Sequence, residues 1–207
     1  MTDLLSGFID LVSSVPPIWR NLLAGLFIML ETSIFIGLVI PGDTVILVAS
    51  TGVTDLGDFF VLLLAVLVGS VIDESIGFGV GRFFGPRLRT SRLGLKIGKE
   101  SWESADQLVI KRGGWAVFIS RFLPVLHSVV PAVAGMSKMP YRVFIGWTFA
   151  ACTIWASLYV GVGYLARSSY EQLEGSLQLA SLVGIGILVV FLIFVALSKK
   201  IIARITK

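Results

Sequence analysis

Residues 120–135 read SRFLPVLHSVVPAVAG, and the arrangement of the whole chain turns on this stretch. It is apolar enough for a bilayer, yet it carries Arg121, His127 and prolines at 124 and 131. Proline has no N–H to offer a helix interior. Broken backbone survives at membrane depth only where protein or a wet cavity satisfies its polar groups. A charge at the bilayer centre costs about 2.5–3.5 kcal/mol on insertion scales, so Arg121 needs a partner. The stretch predicts a segment that enters the membrane and turns back near its prolines.

The composition agrees. Of 207 residues, 56% are hydrophobic and 14% charged, and the mean hydropathy is +0.91. Soluble domains carry about 25% charged residues, and a soluble core of this size cannot hide so much apolar surface. The chain reads as an all-α integral membrane protein with one membrane domain. The net charge of +4 comes from basic residues that flank apolar segments. They suit anionic lipid headgroups and give no nucleic-acid signal. Cys152, the single cysteine, reads as a packing residue; there is no internal disulfide, no thiolate metal site and no cofactor motif.

Charge sets the expected topology. Residues 1–19 contain helically spaced apolar positions and read as an interfacial amphipathic helix ended by Pro16-Pro17. Apolar blocks follow at 22–54, 59–81, 115–135, 142–166 and 178–198. The polar stretch 82–112 holds Arg82, Arg87, Arg89, Arg92, Lys96, Lys99, Lys111 and Arg112, and the tail holds Lys199, Lys200, Arg204 and Lys207. The positive-inside rule places both in the cytoplasm. Asp55 with Asp58, and Glu171 with Glu174, mark weaker loops outside. Block 115–135 then starts and ends inside, whereas 22–54, interrupted at Pro41-Gly42, starts and ends outside. Two re-entrant helical hairpins from opposite faces, each followed by a spanning helix, make an inverted repeat with a site where the hairpins meet. Residues 20–166 form this transport domain, and 167–207 a last membrane helix with a basic tail.

Glu31 and Asp43 lie in the first broken segment, Arg121 and His127 in the second. An interhelical ion pair that only locks the fold is the plain reading. The functional one is a shared cavity in which acid and base neutralise each other until a substrate or proton intervenes. Arg121 can fork two phosphate oxygens, and half-helix N-termini after Pro124 and Pro131 could add donors. Glu31, Asp43 and His127 read as proton carriers. Gly69, Asp73, Gly77, Gly81 and Gly85 recur every four residues, a small-residue packing stripe on which Asp73, with Glu74 beside it, can reach the cavity. Trp102, Trp115, Trp147, Trp155 and Tyr164 read as interfacial anchors or packing residues.

Two resemblances follow. SRFLPVLH is similar to part of the signature of membrane lipid phosphatases of the acid-phosphatase type. Those enzymes need a second histidine and an aspartate four residues after the first; here His127 is alone and position 131 is proline. The larger resemblance covers roughly residues 20–166: Glu31 with the PGD ending at Asp43, the glycine stripe with Asp73 and GRFFG, and SRFLPVLHSVVPAVAGMSKM, followed by Trp147 and GVGYLA. Together these resemble the DedA family, also called the SNARE-associated or VTT-domain family. The resemblance implies two re-entrant hairpins and lipid-carrier transport. Bacterial members are linked to undecaprenyl phosphate recycling or phospholipid translocation, and eukaryotic relatives resemble lipid scramblases. Glu31 and Asp43 match the family's embedded acidic pair, and Arg121 its first arginine. His127 stands where many members carry a second, while Pro41, Pro124, Pro131 and Gly135 fall in the structural parts of the motifs.

The expectation is a multi-pass flippase of the cytoplasmic membrane, C-terminus inside, that moves a phosphate-bearing polyprenyl lipid, undecaprenyl phosphate foremost, with possible proton coupling. It is not expected to be an enzyme. It takes an anionic lipid as partner, no metal, and a homo-oligomer is possible. The alternatives are a phospholipid flippase or scramblase, a lipid phosphatase, and a membrane organiser that transports nothing.

Overall fold

The structure is a computed structural model that describes Val12 and residues 14–31, 42–123 and 126–172. Among them there is no strand. The helices are α1 (Pro17–Glu31), α2 (Gly42–Thr51), α3 (Leu56–Phe84), α4 (Arg87–Thr90), α5 (Arg92–Ile97), α6 (Lys99–Arg112), α7 (Gly114–Ser120), α8 (Leu126–Met136) and α9 (Tyr141–Gln172). Most of the expected interfacial helix over 1–19, Pro41, Pro124, and the segment 178–198 with its basic tail lie outside the described residues.

Side chains are distributed the reverse of a water-soluble protein. Helix α1 buries Arg20, Asn21 and Glu31 while it exposes Ile18, Trp19, Leu22, Leu23 and Leu26. Helix α3 buries Ser70, Asp73 and Glu74 and exposes Leu56, Phe60, Val61, Leu64, Val68, Ile72 and Ile76. Continuous apolar surface of this kind needs a non-aqueous neighbour, and buried ionisable groups behind it are the pattern of a membrane protein. Leu56–Phe84 and Tyr141–Arg167 are long and apolar enough to cross a membrane. By contrast α2 and α8, with 10 and 11 residues, reach only about 15–17 Å, half of the ~30 Å hydrocarbon layer.

Helix α3 is the spine. Asp55 caps it by accepting the Asp58 N–H (3.0 Å), a bond that holds the exposed Asp55 carboxyl below its ordinary range. Helix α1 lies along its first half, with Gly25 against Ala65 and Gly69. Helix α8 lies along its second half: Gly77 meets Pro131, Gly81 meets the Ala132 carbonyl, and Gly135 meets the backbone of Phe78 and Arg82. A side chain at Gly69, Gly81 or Gly135 would drive a Cβ into backbone. Gly81→Ala should therefore cost about 1–3 kcal/mol in overpacking. Gly79→Ala, where nothing lies within 4 Å, should be neutral or stabilise by up to about 1 kcal/mol. Thermal unfolding of the two variants in detergent gives the comparison.

Contacts fix the directions. Helices α1 and α2 are antiparallel: the Gly42 N–H at the start of α2 donates to Glu31 Oε1 at the end of α1 (2.9 Å), and Arg20 at the start of α1 donates to the Gly52 carbonyl after α2. Helix α9 runs antiparallel to α3, for Tyr141 meets Ser75 (3.0 Å) and Phe78, whereas Tyr164 meets Phe59. Its inward face is Phe144, Thr148, Ala151, Cys152, Trp155, Ala156 and Val160, spaced three or four apart as one helical stripe demands.

Helical backbone at Val12 and Ser14 gives way to a bend at Val15, and a new helix, α1, opens at Pro17, where proline's missing N–H is harmless. Several expectations are corrected. Pro131 sits inside α8 without breaking it, and no helix begins after it; packing of α8 on α3 outweighs the single lost hydrogen bond. Gly85 does not belong to the packing stripe. It ends α3 at φ +49, with nothing within 4 Å of a Cβ built there, and thus serves as a positive-φ glycine cap. The stretch 82–112 is mostly helical, and α6 buries Trp102, Ala105, Leu108 and Val109 in the core shared with α8. Of the two readings given for Trp102, packing is the one the structure shows: it is core, its Nε1 donating to the Gly94 carbonyl (3.0 Å). Asp58, read as a loop marker, is buried in the first turn of α3 and paired with Arg20.

Candidate functional site

Helix α7 ends at Arg121, and α8 begins at Leu126. This interruption brings Arg121 to the middle of α3. Its Nη1 donates to Glu74 Oε1 (3.0 Å) and its Nη2 to Ser70 Oγ (3.2 Å); Ser70 and Glu74 are one helical turn apart. The guanidinium lies 3.9 Å from the centroid of the Trp155 ring, a cation–π contact. Arg121 and Glu74 side chains are each 4% exposed. Buried Arg121 Nε has no hydrogen-bond partner among the described residues. A guanidinium has five N–H donors arranged to fork a carboxylate or phosphate. Here a single carboxylate oxygen and a hydroxyl engage it.

The other tip lies in the same field. Glu31, buried at the end of α1, accepts from the first amide of α2 (2.9 Å), and Asp43 in the first turn of α2 accepts from Tyr159 Oη (2.9 Å). Both carboxyls sit at the α2 N-terminus, where the helix dipole favours negative charge. Glu31 lies within electrostatic reach of Arg121, Asp43 and Asp73, and Arg121 within reach of Glu74, Asp43 and Asp73. His127 feels Arg121 and Asp43, and its Nδ1 lies 3.2 Å from the Leu123 carbonyl. A neutral ring then keeps its proton on Nδ1 and leaves Nε2 as an acceptor.

The structure brings Glu31, Asp43, Arg121 and His127 into one electrostatic neighbourhood. Arg121's direct ion-pair partner is Glu74, and not Glu31 or Asp43. Asp73 and Glu74 are both buried in the cluster. Trp155 and Tyr159 were missed as site residues; their spacing of four on a spanning helix, with Cys152 and Thr148 on the same stripe, is the signal that could have revealed them. Cys152 is buried and free, a packing residue beside Arg121. Among the described residues no group of histidine, cysteine and carboxylate side chains is arranged to hold a metal ion.

Comparisons with known proteins place the sequence in a family. The family model described as the VTT domain matches residues 39–165, from just before Asp43 to beyond Tyr159. Protein DedA of Escherichia coli (strain K12) is 28% identical over 152 residues, covering 71% of this chain and 68% of that protein. An uncharacterized membrane protein of Synechocystis sp., slr0232, is 31% identical over 131 residues, 62% of this chain and 60% of its own. A protein of Lactococcus lactis subsp. cremoris named "Alkaline phosphatase-like protein" is 31% identical over 146 residues, 67% of this chain and 68% of its own. No solved structure shows significant similarity. Since the family model matches well over half of the chain, the chain belongs to the VTT-domain, or DedA, family of membrane proteins.

Proposed function

We propose that the chain is a transporter that carries the phosphate headgroup of a lipid, undecaprenyl phosphate foremost, between the leaflets of the cytoplasmic membrane. The observation that carries this reading is the half-engaged, buried Arg121 fork. Its single carboxylate partner, Glu74, occupies it as a phosphate oxygen would, and Nε is open to a second oxygen. A phosphate that displaces Glu74 regains the lost ion pair. Protonation of Glu74 would free the fork, so proton entry and headgroup entry are linked at one residue. Glu31, Asp43 and His127 are the further proton carriers of the cluster.

The fold supports an alternating path. The α1–α2 hairpin closes at Glu31 and Gly42, and the α7–α8 tip reaches Ser70 and Glu74 from the other side of the bundle. In this reading both are re-entrant hairpins of an inverted repeat, with broken backbone at the midplane site. The polyprenyl tail stays in lipid outside the apolar faces of α3 and α9. The basic stretch 82–112 and the C-terminus lie in the cytoplasm. Phospholipid exchange through the same site is the nearest alternative. A lipid phosphatase reaction of the acid-phosphatase type is disfavoured, for the chain lacks the second histidine that type needs.

The test is leaflet exchange of a labelled polyprenyl phosphate in vesicles containing the purified chain. Arg121→Ala should abolish exchange. Arg121→Lys should slow it by about tenfold or more, because an ammonium cannot fork two oxygens. Wild-type exchange by folded Arg121→Ala, or release of inorganic phosphate with no exchange, overturns the proposal.

A further inference from the structure

A cavity of about 660 Å³ opens at the far end of α3, lined by Gly81, Arg82, Gly85, Pro86, Arg89, Gly135, Met136 and Lys138. It lies where α3 and α8 both terminate, away from the Arg121 cluster. Its cations are not equivalent. Arg82 donates to the Gly135 (3.4 Å) and Met139 (3.1 Å) carbonyls, and Arg89 is paired with Asp106 (2.6 Å). Lys138 forms no ion pair or side-chain hydrogen bond among the described residues. Two helix C-termini each present about half a negative charge here. Arg82, bonded to carbonyls of the α8 end, offsets them, so Lys138 leaves the cavity net positive.

The backbone at Lys138 adds a second observation. Lys138 has φ +61 and is the one non-glycine residue with positive φ among the described residues. It ends α8 in a Schellman turn, with the Met139 N–H bonded to the Ala134 carbonyl (3.3 Å). Glycine is favoured at that position because a Cβ is crowded there. The fold thus holds a lysine in a glycine conformation at the mouth of a basic cavity. Beside it Phe83 (86% exposed) and Phe84 (60% exposed) precede Gly85 and present rings outward at the end of a helix long and apolar enough to cross a membrane.

We infer that this cavity is a second, peripheral binding site for an anionic, phosphate-bearing lipid headgroup, with Lys138 as its cationic contact and Phe83 and Phe84 against the acyl chains. The site stands on the cavity and Lys138 alone and does not require transport at Arg121.

Binding of dihexanoyl phosphatidic acid to the full chain in detergent tests it, in an Arg121→Gln background that removes the central fork. Lys138→Gly relieves the backbone and removes the cation. Its melting temperature should equal or exceed that of the parent, while affinity falls about fivefold, the worth of one lysine near anionic lipid. Lys138→Glu should weaken binding further. Dihexanoyl phosphatidylcholine should bind weakly, and millimolar inorganic phosphate should not displace the lipid. Unchanged affinity in Lys138→Gly overturns the site. Full displacement by inorganic phosphate overturns its assignment to a lipid.

Discussion

Arg121→Ala is expected to destabilise the folded chain by about 3–5 kcal/mol, because it strands the Glu74 carboxyl in the protein interior without its cation. Adding Glu74→Leu should recover most of that loss. Paired buried charges exchanged for apolar side chains are often neutral or stabilising, because both desolvation penalties vanish together. The double variant should nonetheless exchange no lipid, since nothing replaces the Arg121 fork. Unfolding in detergent and exchange in vesicles read the two properties separately. A double variant that both folds and transports would assign the ion pair to structure alone.

Asp58→Ala should cost a comparable 3–5 kcal/mol at the other end of the molecule. Asp58 pairs with Arg20, accepts from Asn21 Nδ2 (2.7 Å), and is 7% exposed at its side chain; Arg20 also holds the Gly52 carbonyl. Removing the carboxylate leaves a buried guanidinium attached only to backbone, so α1, the end of α2 and the start of α3 lose their common tie. The loss should fall on stability, with exchange per folded molecule close to wild type, because the Arg121 cluster lies further along α3. Refolding in the presence of anionic detergent, which could reach the freed guanidinium, should restore part of the stability.

Much of this architecture can be read from residues. The spacing of Gly69, Gly77 and Gly81 announced a spine approached by backbone. Arg121 amid apolar neighbours announced a buried cation, because lipid offers no other home for it. The identity of its partner could not be read. Asp73 and Glu74 are adjacent on a helix and point about 100° apart; only the placement of the α7–α8 tip decides which one the guanidinium meets. Trp155 resembled an interfacial anchor because a ring's partner lies elsewhere in the chain. Asp58 looked like a loop marker for the same reason, its partner Arg20 lying 38 residues away. Pro131 misled because a proline in sequence marks a lost hydrogen bond and says nothing of the packing that compensates it.

Helix α3 also has a mechanical consequence. Its 29 residues contain no proline and form a stiff rod about 43 Å long. The Arg121 contacts at Ser70 and Glu74 grip it near the middle, while Asp58 and Arg82 fasten its two ends. It is therefore a lever with its fulcrum at the guanidinium. A tilt of about 5° there carries the Asp58 end one way and the Arg82 end the other, each by about 1–2 Å at these arm lengths. Displacements of that size are enough to lengthen a hydrogen bond past its useful range. A tilt about the guanidinium thus displaces both end clamps together, in opposite directions.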